Sequence, residues 1–326
     1  MSIAVTGSIA TDHLMTFPGK FADSLVVDQL DKIALSFLVD DLEVRRGGCA
    51  ANIAFGLAVL GQRPLLVGAV GRDFDDYREW LESHGVDCSA VRVSDTKHTA
   101  RFVCTTDHAM AQIASFYTGA MSEAREIALA PLVDRYGPFD LVVVSPNDPD
   151  AMVRHTRECR DRGYAFVADP SQQLAWAGGE VIRDLIDGAA YLFCNEYEAA
   201  LIEQKTGWSA EQVQARVGTR VVTEGPAGAR VHRRDEDVLQ VRAVPGIEAV
   251  DPTGVGDSFR AGYLATISVG LGDLRAAQVG CTLAASVVET TGTQEYALDM
   301  ELFWGRFAMA YGDEACSEAS AVLGRV

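Results

Sequence analysis

Leu141-Val142-Val143-Val144, the helix-length segment Pro149–Arg162 and Ala165-Phe166-Val167-Ala168 follow one another with short polar joints. The two apolar runs lack polar alternation, as strands buried on both faces do, and the segment between them is amphipathic at helical spacing. A strand, a helix and a second such strand imply a parallel pair joined by a right-handed crossover. The same unit recurs on either side. Ile3-Ala4-Val5-Thr6, Leu65-Leu66-Val67, Tyr191-Leu192-Phe193-Cys194 and Val221-Val222-Thr223 read as strands, and Ala50–Leu60, Asp75–His84, Glu196–Thr206, Asp257–Val269 and Ala276–Glu289 as helices. The chain is therefore expected to be α/β, with a doubly wound, mostly parallel sheet whose ligands sit beyond the carboxyl ends of the strands.

Two stretches break this rhythm. Leu35–Arg46 and Ala100–Tyr117 alternate polar and apolar residues, and the second is interrupted at Asp107-His108-Ala109, a hairpin turn. They predict a small antiparallel sheet, formed from about 11–46 and 97–118, that projects as a lid over a site. No repeat, Pro-rich linker or low-complexity tract divides the chain, so 1–326 reads as one domain.

Composition narrows the function. The 326 residues are 48% hydrophobic and 23% charged, ordinary for a globular protein. Lys+Arg 28 against Asp+Glu 46 leaves a net charge of −18, which repels nucleic acid and anionic membranes. The basic pairs Arg45-Arg46 and Arg233-Arg234 read as solvated loop charge. Seven scattered cysteines without C-x-x-C suit a reducing compartment, and six histidines without an H-x-x-x-H pair argue against zinc. Met1–Phe17 contains Asp12 and His13 where a signal peptide has an apolar stretch, and no window has the apolar length of a membrane helix, so a cytoplasmic protein is expected.

The stretch richest in chemistry is Asp251-Pro252-Thr253-Gly254-Val255-Gly256-Asp257, which runs into an amphipathic helix. Two glycines one residue apart let successive backbone amides converge, and the helix start adds positive potential, so Gly254, Val255 and Gly256 read as an anion hole. Asp257 beside it is placed to take a proton from a hydroxyl while the hole stabilises a phosphoryl group in transfer. The plainer reading is a glycine turn with Asp257 as the helix N-cap. There is no G-x-x-x-x-G-K-[ST], no H-R-D or D-F-G set and no G-x-G-x-x-G after the first strand, which disfavours P-loop enzymes, protein kinases and dinucleotide enzymes.

The order of motifs resembles the ribokinase-like (PfkB) carbohydrate and nucleoside kinases along nearly the whole chain. The D-x-T-G-x-G-D segment is similar to the family's C-terminal signature, with Val255 in place of the commoner alanine. Gly47-Gly48-Cys49-Ala50-Ala51-Asn52 resembles its N-terminal glycine signature, and Gly68-Ala69-Val70-Gly71-Arg72-Asp73 with His84-Gly85-Val86-Asp87 resembles a further family stretch. Asn195-Glu196-Tyr197-Glu198 is similar to its N-x-x-E element, and Thr223–Gly228 to its nucleotide-side glycine turn. Gly7–Asp12, Ser36–Asp40, Met110–Phe116 and Asp169–Gln173 resemble, within the family, bacterial adenosine kinases of the ribokinase-like type.

The resemblance sharpens the reading of individual residues. Asp12, after the first strand, can accept both hydrogen bonds of a ribose 2′,3′-diol, or it is a turn or cap residue. Ser8, Gly48 and Asn52 fall in the substrate-side motifs, the glycine permitting close backbone approach; Asn52 is otherwise a polar residue early in a helix. Phe102 and Phe116, on opposite arms of the hairpin, would sandwich a planar base, or are core aromatics. Gln172 and Gln173 suit a purine edge, or are loop glutamines. Ser171 and Gln173 stand where sugar kinases of the family often have the Asn and Arg of D-x-N-x-R, which favours a neutral nucleoside. Asn195, Thr223, Gly225 and Gly228 are implied to serve ATP, and Glu198 to hold Mg²⁺ through water, with a monovalent cation such as K⁺ near Asp251.

Together these imply an ATP- and Mg²⁺-dependent enzyme phosphorylating the 5′-hydroxyl of adenosine in purine salvage. The alternatives are a ribose or fructose kinase and a non-catalytic relative that binds nucleosides or sugars. Small molecules, not nucleic acid or membrane, are the expected partners, with a homodimer formed through the exposed edges of the β lid.

Overall fold

The computed structural model describes residues 1–25, 31–32 and 34–323. The strands in chain order are β1 (Ile3–Thr6), β2 (Ala10–Phe17), β3 (Asp41–Gly47), β4 (Leu65–Val67), β5 (Ala69–Val70), β6 (Arg92–Val93) and β7 (Ala100–Asp107). β8 (Gln112–Tyr117), β9 (Leu141–Val144), β10 (Phe166–Ala168), β11 (Tyr191–Asn195), β12 (Thr219–Thr223), β13 (Ala229–Arg233) and β14 (Leu239–Val241) complete the set. Eight of them form one sheet in the order β14-β13-β12-β11-β10-β9-β1-β4. β4 through β12 are parallel, as the apolar runs predict, and β13 and β14 extend the edge antiparallel. The sequence reading misses these last two because the polar residues of Ala229–Arg233 and Leu239–Val241 obscure so short a pattern.

Alternate residues of the parallel strands feed different cores. Val5, Val143, Val167, Phe193 and Val221 pack on one face beneath the helices Cys49–Val59, Val255–Ser268 and Asp273–Val288. Ala4, Val142, Phe166, Leu192 and Val222 pack on the other, under Pro149–Arg162, Gly179–Ile186 and Glu196–Thr206. Burial on both sides is why these strands carry no polar alternation. Among the described residues no helix is long and apolar enough to cross a membrane.

The second sheet has four strands in the order β3-β2-β7-β8. The expected strand over Leu35–Arg46 is only its second half, Asp41–Gly47; the residues from Leu35 to Asp40 are irregular. The sequence reading also overlooks Ala10–Phe17, which follows β1 after three residues and pairs parallel with β7 and antiparallel with β3. Both basic pairs depart from solvated loop charge. Arg45 and Arg46 lie in β3, Arg45 pairing with Glu43 at 2.6 Å and Arg46 resting 4.1 Å above the Trp80 ring. Arg233 ends β13 against the buried Asp273 at 2.5 Å, and Arg234 donates to the Ala215 carbonyl at 2.6 Å.

The helix Val255–Ser268 is held at backbone distance on two sides. A methyl added at Gly262 would lie 2.8 Å from Gly280 Cα, and one at Gly56 would lie 2.6 Å from Ala261 Cβ. Both neighbours belong to packed helices, so neither contact can be relieved by swinging a flexible side chain. Gly262→Ala is expected to destabilise the fold by about 1–3 kcal/mol, the usual penalty for overpacking, despite alanine's better helix propensity. Urea unfolding checks this: the midpoint should fall at unchanged slope, and an unshifted midpoint would contradict the close packing.

Candidate active site

A cavity of about 430 Å³ lies between the carboxyl ends of β1, β11 and β12 and one face of the small sheet. That is where a parallel sheet presents its loops and helix starts.

Register decides the wall formed by the small sheet. Asp12 pairs with Arg45 on one side and Phe102 on the other, and Phe102 pairs with Phe116. Directly paired residues share a face, so these four make one row across the sheet. Asp12, Phe102 and Phe116 all line the cavity. The two rings thus form a single wall beside the carboxylate and do not face each other as the jaws of a sandwich. Asp12 is a mid-strand residue rather than a cap or turn. Burial pushes its pKa up to about 6, with Arg45 pulling the other way and Glu295 and Asp251 adding to the rise.

Across the cavity, the helix carrying Asp257 begins at Gly254, whose φ of 75° is left-handed. Asp257 is therefore in the first turn, not at the N-cap, and no side chain caps this helix. The amides of Gly254, Gly256 and Asp257 have no acceptor among the described residues, which leaves three donors beside the cavity as helix starts do. Val255 contributes less than expected, because its amide points to the Pro252 carbonyl at 3.4 Å.

Asn52 lines the cavity, and its side chain is also engaged inside the protein. Its Nδ2 donates to Asp257 Oδ2 at 2.9 Å, and its Oδ1 accepts from Gln294 Nε2 at 2.9 Å and lies 2.9 Å from Thr293 Oγ1. Gln294 Nε2 also reaches Tyr77 Oη at 2.6 Å, and Tyr77 donates to the Gly47 carbonyl at 2.9 Å. This buried chain fixes Asn52 as the orienting partner of Asp257. Burial raises the pKa of Asp257, while the nearby Arg260 and the Asn52 hydrogen bond oppose the rise.

The remaining expected residues divide. Ser8 Oγ accepts from the Cys49 amide at 3.0 Å, and a methyl on Gly48, at φ 96°, would meet the Ser8 carbonyl at 2.6 Å; both residues line the cavity. Gln172 also lines it, whereas Gln173 turns away and donates to the Asn147 carbonyl at 3.0 Å. Thr223 lines it; Gly225 and Gly228 shape the turn after β12 outside the lining. Asn195 and Glu198 both line it and cap each other: Asn195 Oδ1 accepts from the Glu198 amide and Glu198 Oε2 from the Asn195 amide, each at 2.8 Å.

Among the described residues no three His, Cys, Asp or Glu side chains gather as a metal site. Mg²⁺ keeps most of its water and takes one or two carboxylates plus phosphates, a demand that the cavity-facing Glu198 fits. In the Asp251 loop, where a monovalent cation is expected, the carboxylate accepts from the Thr253 and Gly292 amides and meets Arg45 at 3.4 Å.

Sequence reasoning overlooks Arg260 and Asp169, an ion pair at 2.7 Å beneath the cavity. The available signals were the position of Asp169 at the carboxyl end of β10 and that of Arg260 one turn beyond Asp257 on the same helix.

Residues 20–299 match the pfkB family carbohydrate kinases. The chain belongs to that family. A nucleoside kinase of Methanothermobacter thermautotrophicus is 32% identical over 88% of this chain and 93% of its own. The nucleoside kinase of Burkholderia thailandensis in complex with ADP and inosine superposes with a TM-score of 0.81 at 35% identity, over 96% of this chain and 97% of that one. An ATP-dependent ribose-1-phosphate kinase of Halopiger xanaduensis is 30% identical over 68% of this chain and 72% of its own. The ribokinase-like fold and the kinase class thus agree with the architecture and with the unpaired amides at the helix start before Asp257.

The raised pKa of Asp12 has a stability consequence that is independent of substrate. An acid whose folded pKa exceeds its ordinary 3.8 weakens the fold wherever it must ionise. That penalty is absent below about pH 4, grows between pH 4 and 6, and is complete above about 6. Asp12→Asn should therefore melt higher than the wild type at pH 8, with the advantage vanishing at pH 4. Melting curves at both pH values decide it, and an equal advantage at both would refute the assignment.

Proposed function

We propose that this pfkB kinase is an ATP-dependent nucleoside kinase that phosphorylates the 5′-hydroxyl of a purine nucleoside, adenosine foremost. The observation that carries this reading is the cavity itself. One wall offers a carboxylate beside two aromatic rings, suited to a ribose diol and a planar base; the opposite wall offers Asp257 and the unpaired amides of the Gly254–Gly256 loop. The relatives named nucleoside kinase and the inosine-bound neighbour support the same class.

In this reading the nucleoside's 5′-oxygen gives its proton to Asp257 and attacks the γ-phosphorus, and the bond from that phosphorus to the ADP oxygen breaks. The loop amides stabilise the charge on the phosphoryl oxygens in passage. Asn52 holds the receiving carboxylate oxygen in line. Glu198 would hold hydrated Mg²⁺, which neutralises triphosphate charge when bound.

A ribose-type sugar kinase is the second reading, and the ribose-1-phosphate kinase relative favours it. Phe102 and Phe116 weigh against it, because a bare sugar leaves both rings without a partner in the cavity. A non-catalytic binder would have no use for a base held by Asn52. We also propose a homodimer through the far face of the small sheet, where Leu42, Val44, Ile113 and Tyr117 stand 46–55% exposed.

ADP release with a panel of nucleosides and sugars tests the class. Adenosine should exceed 2′-deoxyadenosine by about ten- to a hundredfold in kcat/KM, because the analogue leaves Asp12 partly unpaired. Ribose outpacing adenosine would overturn the nucleoside reading. Asp257→Asn should lose at least about two decades of kcat at little changed nucleoside affinity. Phe116→Ala should weaken nucleoside binding by about 1–3 kcal/mol while leaving the fold intact; an unchanged Kd would remove its ring from the base site.

A further inference from the structure

Arg260 is an unusual ion-pair partner. Its side chain is 7% exposed and that of Asp169 is 1% exposed, yet the two share a single contact, Nη2 to Oδ1 at 2.7 Å. Arg260 Nε and Asp169 Oδ2 are buried without a hydrogen bond. A pair kept for stability gains most from two parallel bonds, and one with spare buried donors and acceptors is a weak structural device. The guanidinium also shapes the loop above it: a methyl at Gly256 would lie 2.8 Å from Arg260 Nη1. The second glycine of the anion-binding loop is thus the residue that leaves room for this cation. Phe193 backs it from the core, its ring centre 5.9 Å from the guanidinium carbon.

We propose that Arg260, held from behind by Asp169, is the positioning residue that keeps the Asp257 carboxylate ionised and in place at the floor of the phosphoryl-transfer cavity. The inference rests on Asp257 being the base. Arg260 stands one turn after Asp257 on the same helix and lines the same cavity. The other ionisable groups facing Asp257 are Glu198 from the start of the helix after β11, Asp169 from the end of β10, and the Cys49 thiol from the helix after β3. The carboxylates oppose ionisation of Asp257, the thiol is held neutral by burial, and Arg260 is the cation acting on Asp257. Burial alone would favour a protonated Asp257, which cannot accept the hydroxyl proton.

The test is the pH profile of kcat/KM for adenosine at saturating MgATP, from about pH 5 to 9, for Arg260→Met, Arg260→Lys and Asp169→Asn beside Asp257→Asn. Removing a neighbouring opposite charge raises a carboxyl pKa by about one unit or more. Arg260→Met should therefore move the acidic limb up by about that much, lose up to about tenfold at pH values below the wild-type limb, recover toward high pH, and keep adenosine KM within about threefold. Arg260→Lys retains the charge and should leave the limb near its wild-type position. Asp169→Asn removes a negative neighbour but also the hold on Arg260, so its limb should move up less than that of Arg260→Met. Arg260→Gln replaces the methionine variant if that one does not fold. A pH-independent loss in a folded Arg260 variant, or an acidic limb that Arg260→Lys raises as far as Arg260→Met does, overturns the proposal. An inactive Asp257→Asn with an unmoved limb in Arg260→Met sinks the positioning role alone; a fully active Asp257→Asn removes the base reading as well.

Discussion

The close packing of Val255–Ser268 between two other helices is the constraint on which the rest of the molecule depends. Gly56 and Gly280 bring the helix backbones near enough that a single added methyl would collide. At that spacing the helix cannot slide or rotate without disturbing the larger core, so the residues in its first turns are located by the core itself. Asp257, Arg260 and the free amides before them inherit this rigidity. A site that stabilises charge in transit needs donors already in place, and a helix wedged at backbone distance meets that need better than a loop would.

Electrostatics is the second theme. The chain carries a net charge of −18, yet its cavity must receive a polyanion. The structure meets this with local positive potential: unpaired amides at a helix start and one buried guanidinium among Asp169, Asp257 and Glu198. Long-range attraction plays no part in that arrangement, since charges beyond about a Debye length are screened. Short-range donors in a partly desolvated cavity act where solvent screens them least.

The small sheet is tied to the core through several contacts, two of which lie beside the cavity. Arg45 of β3 meets Asp251 at 3.4 Å, and the Arg46 carbonyl lies 2.9 Å from Thr293 Oγ1, which also lies 2.9 Å from Asn52. The wall that carries Asp12 is therefore connected to the residue that orients Asp257. The other face of that sheet exposes apolar side chains.

Much of this was legible in the sequence because it depends on local pattern. Strands buried on both faces leave apolar runs, and Ile3–Thr6, Leu65–Val67 and Leu141–Val144 are bounded where those runs end. The glycines before Asp257 announced a tight turn entering a helix, since few other residues accept that backbone. What the tertiary structure alone decided was partnership. Asn52 reads in sequence as a residue for the sugar; that it also bonds to an aspartate 205 positions away is set by what lies across the fold. The face shared by Asp12, Phe102 and Phe116 follows from strand register, and a shift of one residue would have turned them outward. The positions of Arg260 and Asp169 are legible locally, but their pairing is not, because an ion pair 91 positions apart in sequence exists only once the sheet and helix have packed and excluded the water between them.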